Sequence, residues 1–194
     1  MDIIGAHKTD IDLKPGAELL DMENVILVDD NDIVQGTMEK MQAHLTGSLH
    51  RAISVFIFNS RGEFLLQQRA LEKYHSAGKW SNTSCSHPRP GESNIDAAHR
   101  RLKEEMGLSC ELKPWFNFTY HAEFENGLTE HEYDHVFIGT SNALPHPDPL
   151  EVASFKYIGK EELEADIHQN PEQYTVWFKL CLDHINKKNN GSSL

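Results

Sequence analysis

The sequence predicts one domain of mixed α/β (α+β) class, a largely non-parallel β-sheet sandwich flanked by helices. Its 194 residues fall in the usual range for a chain with a single core. Strand patterns clearly outnumber helical ones, with one helix in the middle of the chain and others at its end. The sequence shows no internal repeat, and one domain is therefore expected.

The first half of the chain contains two strand–turn–strand patterns. In VILVDDNDIVQGTME the turn falls around Asp29 to Asp32, and in RAISVFIFNSRGEFLLQQR it falls at Asn59 to Gly62. Residues 1–22 show no sustained periodicity and are predicted to form a loosely ordered N-terminal extension. The domain itself is then expected to span residues 23–185, and residues 186–194 to form a flexible C-terminal tail.

The second half begins with the clearest helical pattern of the sequence, SNIDAAHRRLKEEMGL. Ser93 is a suitable N-cap for this helix and Gly107 a suitable C-cap. The segments FNFTYHAEF and EHEYDHVFIGT are typical of paired strands, and EVASFKYIG of one more strand. Two helices are predicted after it, one from Lys160 and one from Pro171.

The charge and hydropathy of the chain exclude several classes of function. With 18 basic and 30 acidic residues the net charge is -12, which repels nucleic acid and anionic membranes. No window approaches the ~20 apolar residues that a membrane span needs, and the N-terminus lacks the pattern of an export signal. We therefore expect a globular protein that binds neither nucleic acid nor membrane.

The cysteines indicate the cellular compartment. Cys85, Cys110 and Cys181 are an odd number, widely spaced and without a CxxC pair, so neither a disulfide framework nor a thiolate zinc site is favoured. A reducing, cytoplasmic location is predicted. A monomer is expected, because no coiled-coil pattern or repetitive edge is evident.

A short motif in the middle of the chain points to metal and phosphate chemistry. Ser86, Glu92 and the run RRLKEEMGL resemble the Nudix box in their spacing. Carboxylates one helical turn apart share a face and can hold a divalent cation against a diphosphate, and Glu105 is the predicted ligand. Ser86 stands where the box usually has Gly, and Arg101 where its hydrolases have the first Glu. Diphosphate hydrolysis is accordingly disfavoured.

Two interpretations of this helix are open from the motif alone. Glu104 and Glu105 could bind a cation, or they could form solvated pairs with Arg100 and Arg101 one turn earlier. The surrounding sequence favours the first interpretation. WSNTSCSHPRPGESN, from Trp80, resembles the active-site loop of type I isopentenyl diphosphate isomerases of the Nudix superfamily.

The resemblance covers most of the chain, from about Glu23 to about His184. It takes in GTMEKMQAH, SLHRA, the QQRALEK run, FTYHA, GLTEHEYDHVF and TVW in the order of the family. It implies a Nudix fold and an isomerase that converts isopentenyl diphosphate to dimethylallyl diphosphate in isoprenoid biosynthesis. It also implies a first divalent metal, a Mg²⁺ ion held with the substrate diphosphate by Glu105, and no flavin.

The candidate ligands of the first metal combine imidazoles with carboxylates. In TEHEYDH the two glutamates alternate along a predicted strand, so both project from one face and His131 projects from the other. Three imidazoles and two carboxylates can form a five-ligand site suited to Zn²⁺, Mn²⁺ or Mg²⁺. A lone histidine is more often structural, and the other histidines are interpreted so. By resemblance the ligands are His44, His50, His87, Glu130 and Glu132.

The isomerisation needs one proton added to the alkene and another removed from a neighbouring carbon, by groups on opposite sides of the substrate. Cys85 and Glu132 resemble the two essential residues of the family, and Tyr120 is expected to bond Glu132 and relay protons. A cation near Cys85 would leave a thiolate available as base. Which of the two residues donates first stays open. On composition alone, Cys85 would be interpreted as a small buried side chain.

An acidic protein must concentrate cations where it binds a diphosphate. Lys40, Arg69, Lys73 and Arg101 match the basic positions of the family, and Arg101 can donate two hydrogen bonds to phosphate oxygens. The alternative is that each is a solvated surface charge. For Trp177, packing on the core competes with the role that the resemblance implies, stabilisation of a carbocation by the ring face.

Two other functions compete with the isomerase. A Nudix hydrolase would attack a diphosphate with a metal-activated water, but it requires neither Cys85 nor the Glu130 and Glu132 pair and would have a glutamate in place of Arg101. A non-catalytic relative would bind a metal or a diphosphate without turnover. The presence of both Cys85 and Glu132 argues against this second alternative.

Overall fold

The protein is described over residues 24–191 by a computed structural model, with nine strands and four α-helices in this range. The prediction for residues 1–22 lies outside the described residues. In chain order the elements are β1 (Asn24–Val28), β2 (Val34–Glu39), α1 (Lys40–Thr46), β3 (His50–Phe58), β4 (Phe64–Arg69), β5 (Trp80–Ser81), β6 (Ser84–Ser86), α2 (Asn94–Met106), β7 (Leu112–Glu123), β8 (Thr129–Thr140), β9 (Val152–Ile158), α3 (Lys160–Gln169), a 3₁₀ turn (Pro171–Gln173) and α4 (Val176–Gly191).

The strands form one mixed sheet with β3 at its centre. β3 runs antiparallel to β1, β4 and β6 and parallel to β8. β8 also pairs with β7, β4 with β5 and β9, and β1 with β2, all antiparallel. Since β3 and β8 are the one parallel pair in the described sheet, the predicted α+β class with a largely non-parallel sheet is confirmed.

Apolar side chains cover both faces of β3. Ile53 and Val55 lie in a buried cluster with Leu102 of α2. Phe56 lies in a second cluster and stacks on Phe178 of α4, with the ring centroids 5.9 Å apart. A strand that is buried on both faces belongs at the centre of a covered sheet. The sheet is therefore enclosed by α2 on one side and α4 on the other.

Helix α2 begins and ends where the sequence predicts. The Ser93 hydroxyl accepts a hydrogen bond from the backbone N–H of Asp96 at 3.2 Å, which satisfies one of the free N–H groups of the first turn. Gly107 ends the helix with φ of 65°, and a Cβ there would lie 2.6 Å from the carbonyl oxygen of His146. Both predicted caps are confirmed, and they fix the helix that carries Glu105.

Helix α1 was not predicted and follows directly on β2. The Glu39 carboxylate accepts hydrogen bonds from the backbone N–H groups of Met41 at 2.9 Å and Gln42 at 2.8 Å. Glutamate is not among the preferred N-cap residues, so the start of this helix is not recognisable from the sequence. His44, expected in a stretch before a strand, lies on this helix and is completely buried.

The start of α4 differs from the prediction. A helix was expected from Pro171, but the structure has only a 3₁₀ turn there and α4 begins at Val176. The intervening residues are held by the sheet, since the backbone N–H of Thr175 donates to the carbonyl of Trp80 at 3.0 Å. With this N–H bonded to the sheet, α4 begins five residues later than predicted.

The far end of α4 lies beyond the predicted domain boundary. The helix continues to Gly191, so the boundary expected at residue 185 falls inside it. The flexibility expected of the tail stays a prediction. None of the helices within residues 24–191 is long and apolar enough to cross a membrane.

Candidate active site

One pocket brings together residues from the sheet and from helices α1, α2 and α4. The predicted site residues that line it are Lys40, Arg69, Lys73, Cys85, His87, Arg101, Glu105, Tyr120, Glu130, Glu132 and Trp177. The two remaining predicted residues, His44 and His50, are completely buried beside His87, with ring centroids 5.6 and 4.9 Å from its ring. Lys40 and Trp177, which are 137 positions apart in the sequence, thus meet in one pocket.

The five predicted ligands of the first metal form one group. His44 comes from α1, His50 from the first position of β3, His87 from the residue after β6, and Glu130 and Glu132 from β8. Parallel pairing of β3 with β8 places His50 opposite Glu132. One nitrogen or oxygen atom from each of the five residues lies within 4.8 Å of all the others. Such spacing is what ligands at about 2.0–2.2 Å from a common ion require.

Two histidines of the group are oriented by backbone carbonyls. The Nδ1 atom of His44 lies 2.6 Å from the Lys40 carbonyl oxygen, and that of His50 lies 2.8 Å from the Ser48 carbonyl oxygen. Each bond requires the hydrogen on Nδ1 and leaves a lone pair on Nε2, the arrangement of metal-bound histidines. The backbone around His44 and His50 therefore presets both rings for a ligand.

Two buried atoms of the group lack a hydrogen-bond partner among residues 24–191. They are Nε2 of His44 and Oε2 of Glu130, which lie 3.3 Å apart without forming a hydrogen bond. Leaving buried polar atoms unsatisfied costs about 1–3 kcal/mol each. A divalent cation would coordinate both atoms. The donor set and its unsatisfied atoms therefore fit a metal ion.

The protonation states of the group suit a cation as well. Burial raises the pKa of Glu130, but His44 and His75 outweigh it and hold this pKa well below the usual range. Burial and the charge of Glu130 raise the pKa of Glu132, but His50 and His87 outweigh them and lower it. Burial lowers the pKa of His87 to about 4. The carboxylates are thus ionised and His87 is neutral at pH 7.

Cys85, Glu132 and Tyr120 approach the pocket on three strands. Tyr120 of β7 pairs with Glu132 of β8 in the sheet, and its hydroxyl donates to Oε2 of Glu132 at 2.6 Å. The other oxygen, Oε1, lies 2.8 Å from Nε2 of His87. The two oxygens of Glu132 therefore face different partners, one among the histidines and one outside them.

Cys85 differs from the prediction in place and in protonation. It was expected in a polar loop, but it lies in β6 and pairs with Ser54 of the central strand. A thiolate was expected, but burial raises the pKa of Cys85 to about 12, and the positive charge of Arg69 offsets only part of the effect. The expectation of a thiolate is wrong because the desolvation of the thiol outweighs its nearest cation. At pH 7 the residue is a thiol.

Glu105 is buried, and the interpretation as a solvated charge pair is wrong for it. Its side chain accepts hydrogen bonds from Gln67 at 2.8 Å and from Arg101 at 3.1 Å. Burial raises the pKa of Glu105, and Arg101 opposes this shift. Glu104, by contrast, is exposed and pairs with Arg100 and Arg101. Of the two neighbouring carboxylates, only Glu105 faces the pocket.

Two basic residues of the pocket are paired with one acidic residue, Glu151. Lys73 donates to the carboxylate of Glu151, and Arg101 contacts the same carboxylate at 3.3 Å. Lys40 lies over the ring of Tyr74, with its Nζ 5.2 Å from the centroid. Glu151 was not predicted from the sequence, because nothing in EVASFKYIG distinguishes it from a surface carboxylate.

Trp177 is buried at the start of α4 with its ring at the pocket. The guanidinium carbon of Arg69 lies 5.2 Å from the ring centroid, so the ring already contacts one cation. The indole Nε1 has no hydrogen-bond partner in the part of the chain that the structure describes. Packing and a role at the pocket are therefore compatible for Trp177.

His75, which was not predicted as a site residue, lines the pocket and is buried. Its Nε2 lies 2.8 Å from Oε1 of Glu130, and burial lowers the pKa of its imidazole. In the sequence it follows the predicted Lys73 by two positions in ALEKYHSAG. It was grouped with the structural histidines because no ligand spacing involves it.

Two comparisons of sequence identify relatives of this chain. Residues 48–178 match the family description of the NUDIX domain. The Isopentenyl-diphosphate Delta-isomerase of Pectobacterium atrosepticum is 54% identical over 164 residues, which are 84% of this chain and 92% of that protein. The Isopentenyl-diphosphate Delta-isomerase 2 of Aromatoleum aromaticum is 51% identical over 163 residues, 84% of this chain and 86% of that protein.

Solved structures agree on the fold. DR0079 from Deinococcus radiodurans matches with a TM-score of 0.64 at 20% identity, over 76% of this chain and 90% of its own. The MutT protein from Methanosarcina mazei Go1 matches with a TM-score of 0.58 at 22% identity, over 73% of this chain and 95% of its own. The predicted Nudix fold is confirmed. Since the domain match covers residues 48–178 and the relatives match over most of both chains, this protein belongs to the NUDIX superfamily and, within it, to the isopentenyl-diphosphate Delta-isomerase family.

Proposed function

We propose that this protein is an isomerase that converts isopentenyl diphosphate to dimethylallyl diphosphate, a reaction of isoprenoid biosynthesis. The names of its relatives support the reaction. The observation that carries the proposal is that Cys85 and Glu132 line one pocket together with the metal-ligand group. A thiol and a carboxylate from different strands are the two proton-carrying groups that a double-bond shift needs.

The reaction moves one proton onto the terminal carbon C4 and removes one from C2, through a tertiary carbocation. Cys85 holds a proton on Sγ at neutral pH, and Glu132 is ionised in the protein without metal. Tyr120 donates to Oε2 of Glu132, so it orients this oxygen and can pass a proton to or from it. A divalent cation bound to the group would make the Glu132 carboxyl more acidic and fix its direction.

The diphosphate is proposed to bind at the basic end of the pocket. Lys40, Arg69, Lys73 and Arg101 supply the positive charge, and Arg101 can donate two parallel hydrogen bonds to phosphate oxygens. Glu105 lies next to Arg101 and would hold a Mg²⁺ ion that bridges to the diphosphate. Arg101 in this position favours binding of the diphosphate over its hydrolysis.

Trp177 is proposed to shield the carbocation. Its ring face attracts the Arg69 guanidinium in the substrate-free protein and can attract a carbocation in the same way. Its burial helps to exclude water, which would otherwise trap the cation as an alcohol. Trp177 and Cys85 together would keep the reacting carbons dry.

The finer properties of the protein follow as proposals. The first metal is Zn²⁺, Mn²⁺ or Mg²⁺, because imidazole and carboxylate ligands suit all three. We also propose a monomer in the cytoplasm that acts on a small diphosphate. The three free cysteines and the net charge of -12 support this location and argue against nucleic acid or anionic membrane as partners.

The test is to incubate the metal-loaded protein with isopentenyl diphosphate in deuterated water and follow the products by NMR. Deuterium in the new C4 methyl group, without free phosphate, is expected. Release of phosphate without isomer would support the hydrolase alternative, and saturable binding without either product would support the non-catalytic one. Cys85→Ala should be inactive, and Cys110→Ala, a half-buried cysteine that does not line the pocket, is the matched control.

A further inference from the structure

The two carboxylates of the metal-ligand group are held in the same manner. Glu132 has Oε1 2.8 Å from His87, and its Oε2 accepts the hydroxyl of Tyr120. Glu130 has Oε2 3.3 Å from His44, and its Oε1 lies 2.8 Å from Nε2 of His75. In each carboxylate one oxygen faces the ligand histidines and the other meets a donor from outside the group. His75 therefore contacts Glu130 in the same way that Tyr120 contacts Glu132.

We propose that His75 is a positioning residue that binds Oε1 of Glu130 and thereby directs Oε2 alone at the first metal. The proposal rests on the metal site of the proposed function and extends it to a residue outside the ligand group. Donors that bond the free oxygen of a metal-binding carboxylate orient the ligand and prevent it from chelating with both oxygens.

The hydrogen needed for this bond can be assigned from the contacts. An ionised carboxylate only accepts hydrogen bonds, so the contact requires the hydrogen of His75 on Nε2. Nδ1 of His75 has no hydrogen-bond partner among the residues described, which suits a bare lone pair. With Nε2 engaged by Glu130, His75 is not available as a metal ligand, and it lies outside the group of five ligand residues.

The ring of His75 is fixed by aromatic neighbours. It stacks on Phe124 with centroids 5.0 Å apart and meets the edges of Tyr74 at 4.5 Å and of Trp177 at 5.7 Å. Its backbone carbonyl accepts a hydrogen bond from Arg69 at 3.4 Å. A buried ring held in this way loses little entropy when it donates to Glu130. These contacts also raise the alternative that His75 only packs.

Substitutions at position 75 separate the hydrogen bond from the packing. His75→Gln keeps a donor at a position close to Nε2, whereas His75→Met has a similar length and shape without a donor. His75→Phe keeps the aromatic ring without the donor. If the hydrogen bond matters, His75→Gln should bind metal about as tightly as the native protein, and His75→Met and His75→Phe should bind it more weakly. If only the ring matters, His75→Phe should have the metal affinity of the native protein.

The measurement is the affinity of the metal-free full chain for Zn²⁺ and for Mn²⁺, by competition with a chromophoric chelator, with folding checked by circular dichroism. We expect about 10–100-fold weaker binding in His75→Met and His75→Phe, and binding within about threefold of the native protein in His75→Gln. His99→Gln, on the exposed side of α2, is the control and should leave the affinity unchanged.

The outcomes distinguish this inference from the proposed function, because metal binding is measured without turnover. Native affinity in folded His75→Met overturns the inference and leaves the isomerase proposal intact. Weak binding in His75→Gln and native binding in His75→Phe overturns it in favour of packing. If His75→Met or His75→Phe fails to fold, comparing the metal affinity of His75→Gln with that of the other donor-free variant still tests the inference. Absence of metal binding by the native chain would overturn both proposals.

Discussion

The two ends of the pocket differ in how their charges are satisfied. At the metal end, Nε2 of His44 and Oε2 of Glu130 have no hydrogen-bond partner within residues 24–191, although both are buried. At the other end, where we propose that the diphosphate binds, Arg101 and Lys73 share the carboxylate of Glu151, and Arg101 also bonds Glu105. The first end is prepared for a ligand, and the second is occupied by its own side chains.

This difference predicts different costs of binding. A cation at the metal end gains contacts with atoms that lack partners. Tyr120 and His75 already hold the outer oxygens of the two carboxylates. A diphosphate at the other end must replace Glu151 at Lys73 and Arg101, so part of the attraction is spent on breaking existing ion pairs. Substitutions at the metal end should therefore abolish activity, whereas those at the diphosphate end should change substrate affinity.

The largest effect is expected at the metal end. Glu132→Gln removes a proposed metal ligand and proton-carrying group, and Cys85→Ala removes the other proposed proton carrier. Proton transfer by a placed group contributes about 10²–10⁴-fold, so each kcat should fall by at least that factor with the fold intact. The rates are measured by following the formation of dimethylallyl diphosphate with NMR.

Glu123→Gln, at the end of β7 and exposed, is the control for Glu132→Gln. Its kcat should equal that of the native protein. Near-native turnover in Glu132→Gln or Cys85→Ala would contradict the assignment of the proton-transfer pair.

The next effect is expected at Arg101 and should appear in KM. Arg101→Glu restores the residue of the hydrolase motif, but it removes a cation from the diphosphate end and adds an anion beside Glu105. A hydrogen bond to a charged group contributes about 1.5–3 kcal/mol, so KM should rise at least about tenfold. Steady-state kinetics measure KM, and a parallel phosphate assay measures any hydrolysis of the diphosphate.

Lys103→Glu reverses a charge on the exposed side of the same helix and serves as control. Its KM should rise far less than that of Arg101→Glu. Phosphate release by Arg101→Glu would show that one residue separates this isomerase from a hydrolase, and our interpretation of Arg101 would be wrong.

A smaller effect of opposite sign is expected at Glu151. Glu151→Gln removes the anion that competes with the diphosphate for Lys73 and Arg101. Partly exposed ion pairs contribute about 0–1 kcal/mol, so KM should fall by up to about fivefold at low salt, and less at high salt. The Kd for inorganic diphosphate, measured by titration, should fall by the same factor as KM in Glu151→Gln. A rise in KM would instead mean that Glu151 assists binding of the diphosphate.

The sequence predicted much of the fold because its signals were local. Ser93 and Gly107 bounded α2 through cap chemistry, and the alternation of Glu130 and Glu132 gave the face of β8. Helix α1 was missed because its N-cap is Glu39, a residue type with little capping preference. The start of α4 was placed too early because a hydrogen bond to the sheet, from Thr175, is not visible in the sequence.

The site was predicted where the family motifs name residues and missed where tertiary contacts decide. His75 and Glu151 carry no motif, and their roles depend on strands and loops that meet only in the fold. The protonation of Cys85 was wrong for a related reason. A nearby cation in a polar loop was expected to make a thiolate available, but the thiol is desolvated in the fold and its pKa rises.

The smallest effect concerns the link between α2 and the metal end. Arg100 donates to both oxygens of Glu92, at 2.7 and 2.8 Å, and also to the backbone carbonyl of His87 at 3.4 Å. The hydrogen bonds from Arg100 lower the pKa of Glu92 below its ordinary value in the folded protein. A carboxylate with a depressed folded pKa contributes stability above its unfolded pKa, and this contribution is lost as the pH falls through the folded value. Glu92→Gln should therefore lower the free energy of unfolding by about 1 kcal/mol at pH 7.

Urea unfolding at pH 7 and near pH 3 measures the difference between the native protein and Glu92→Gln. It should shrink toward zero at the lower pH, because Glu92 is then increasingly protonated and resembles glutamine. Glu104→Gln, at an exposed carboxylate that also contacts Arg100, should show a smaller difference at pH 7. A Glu92→Gln difference that is the same at both pH values would mean that the shape of the side chain, rather than its charge, holds α2 to the loop of His87. The position of His87, a proposed metal ligand, would then not depend on the ion pair.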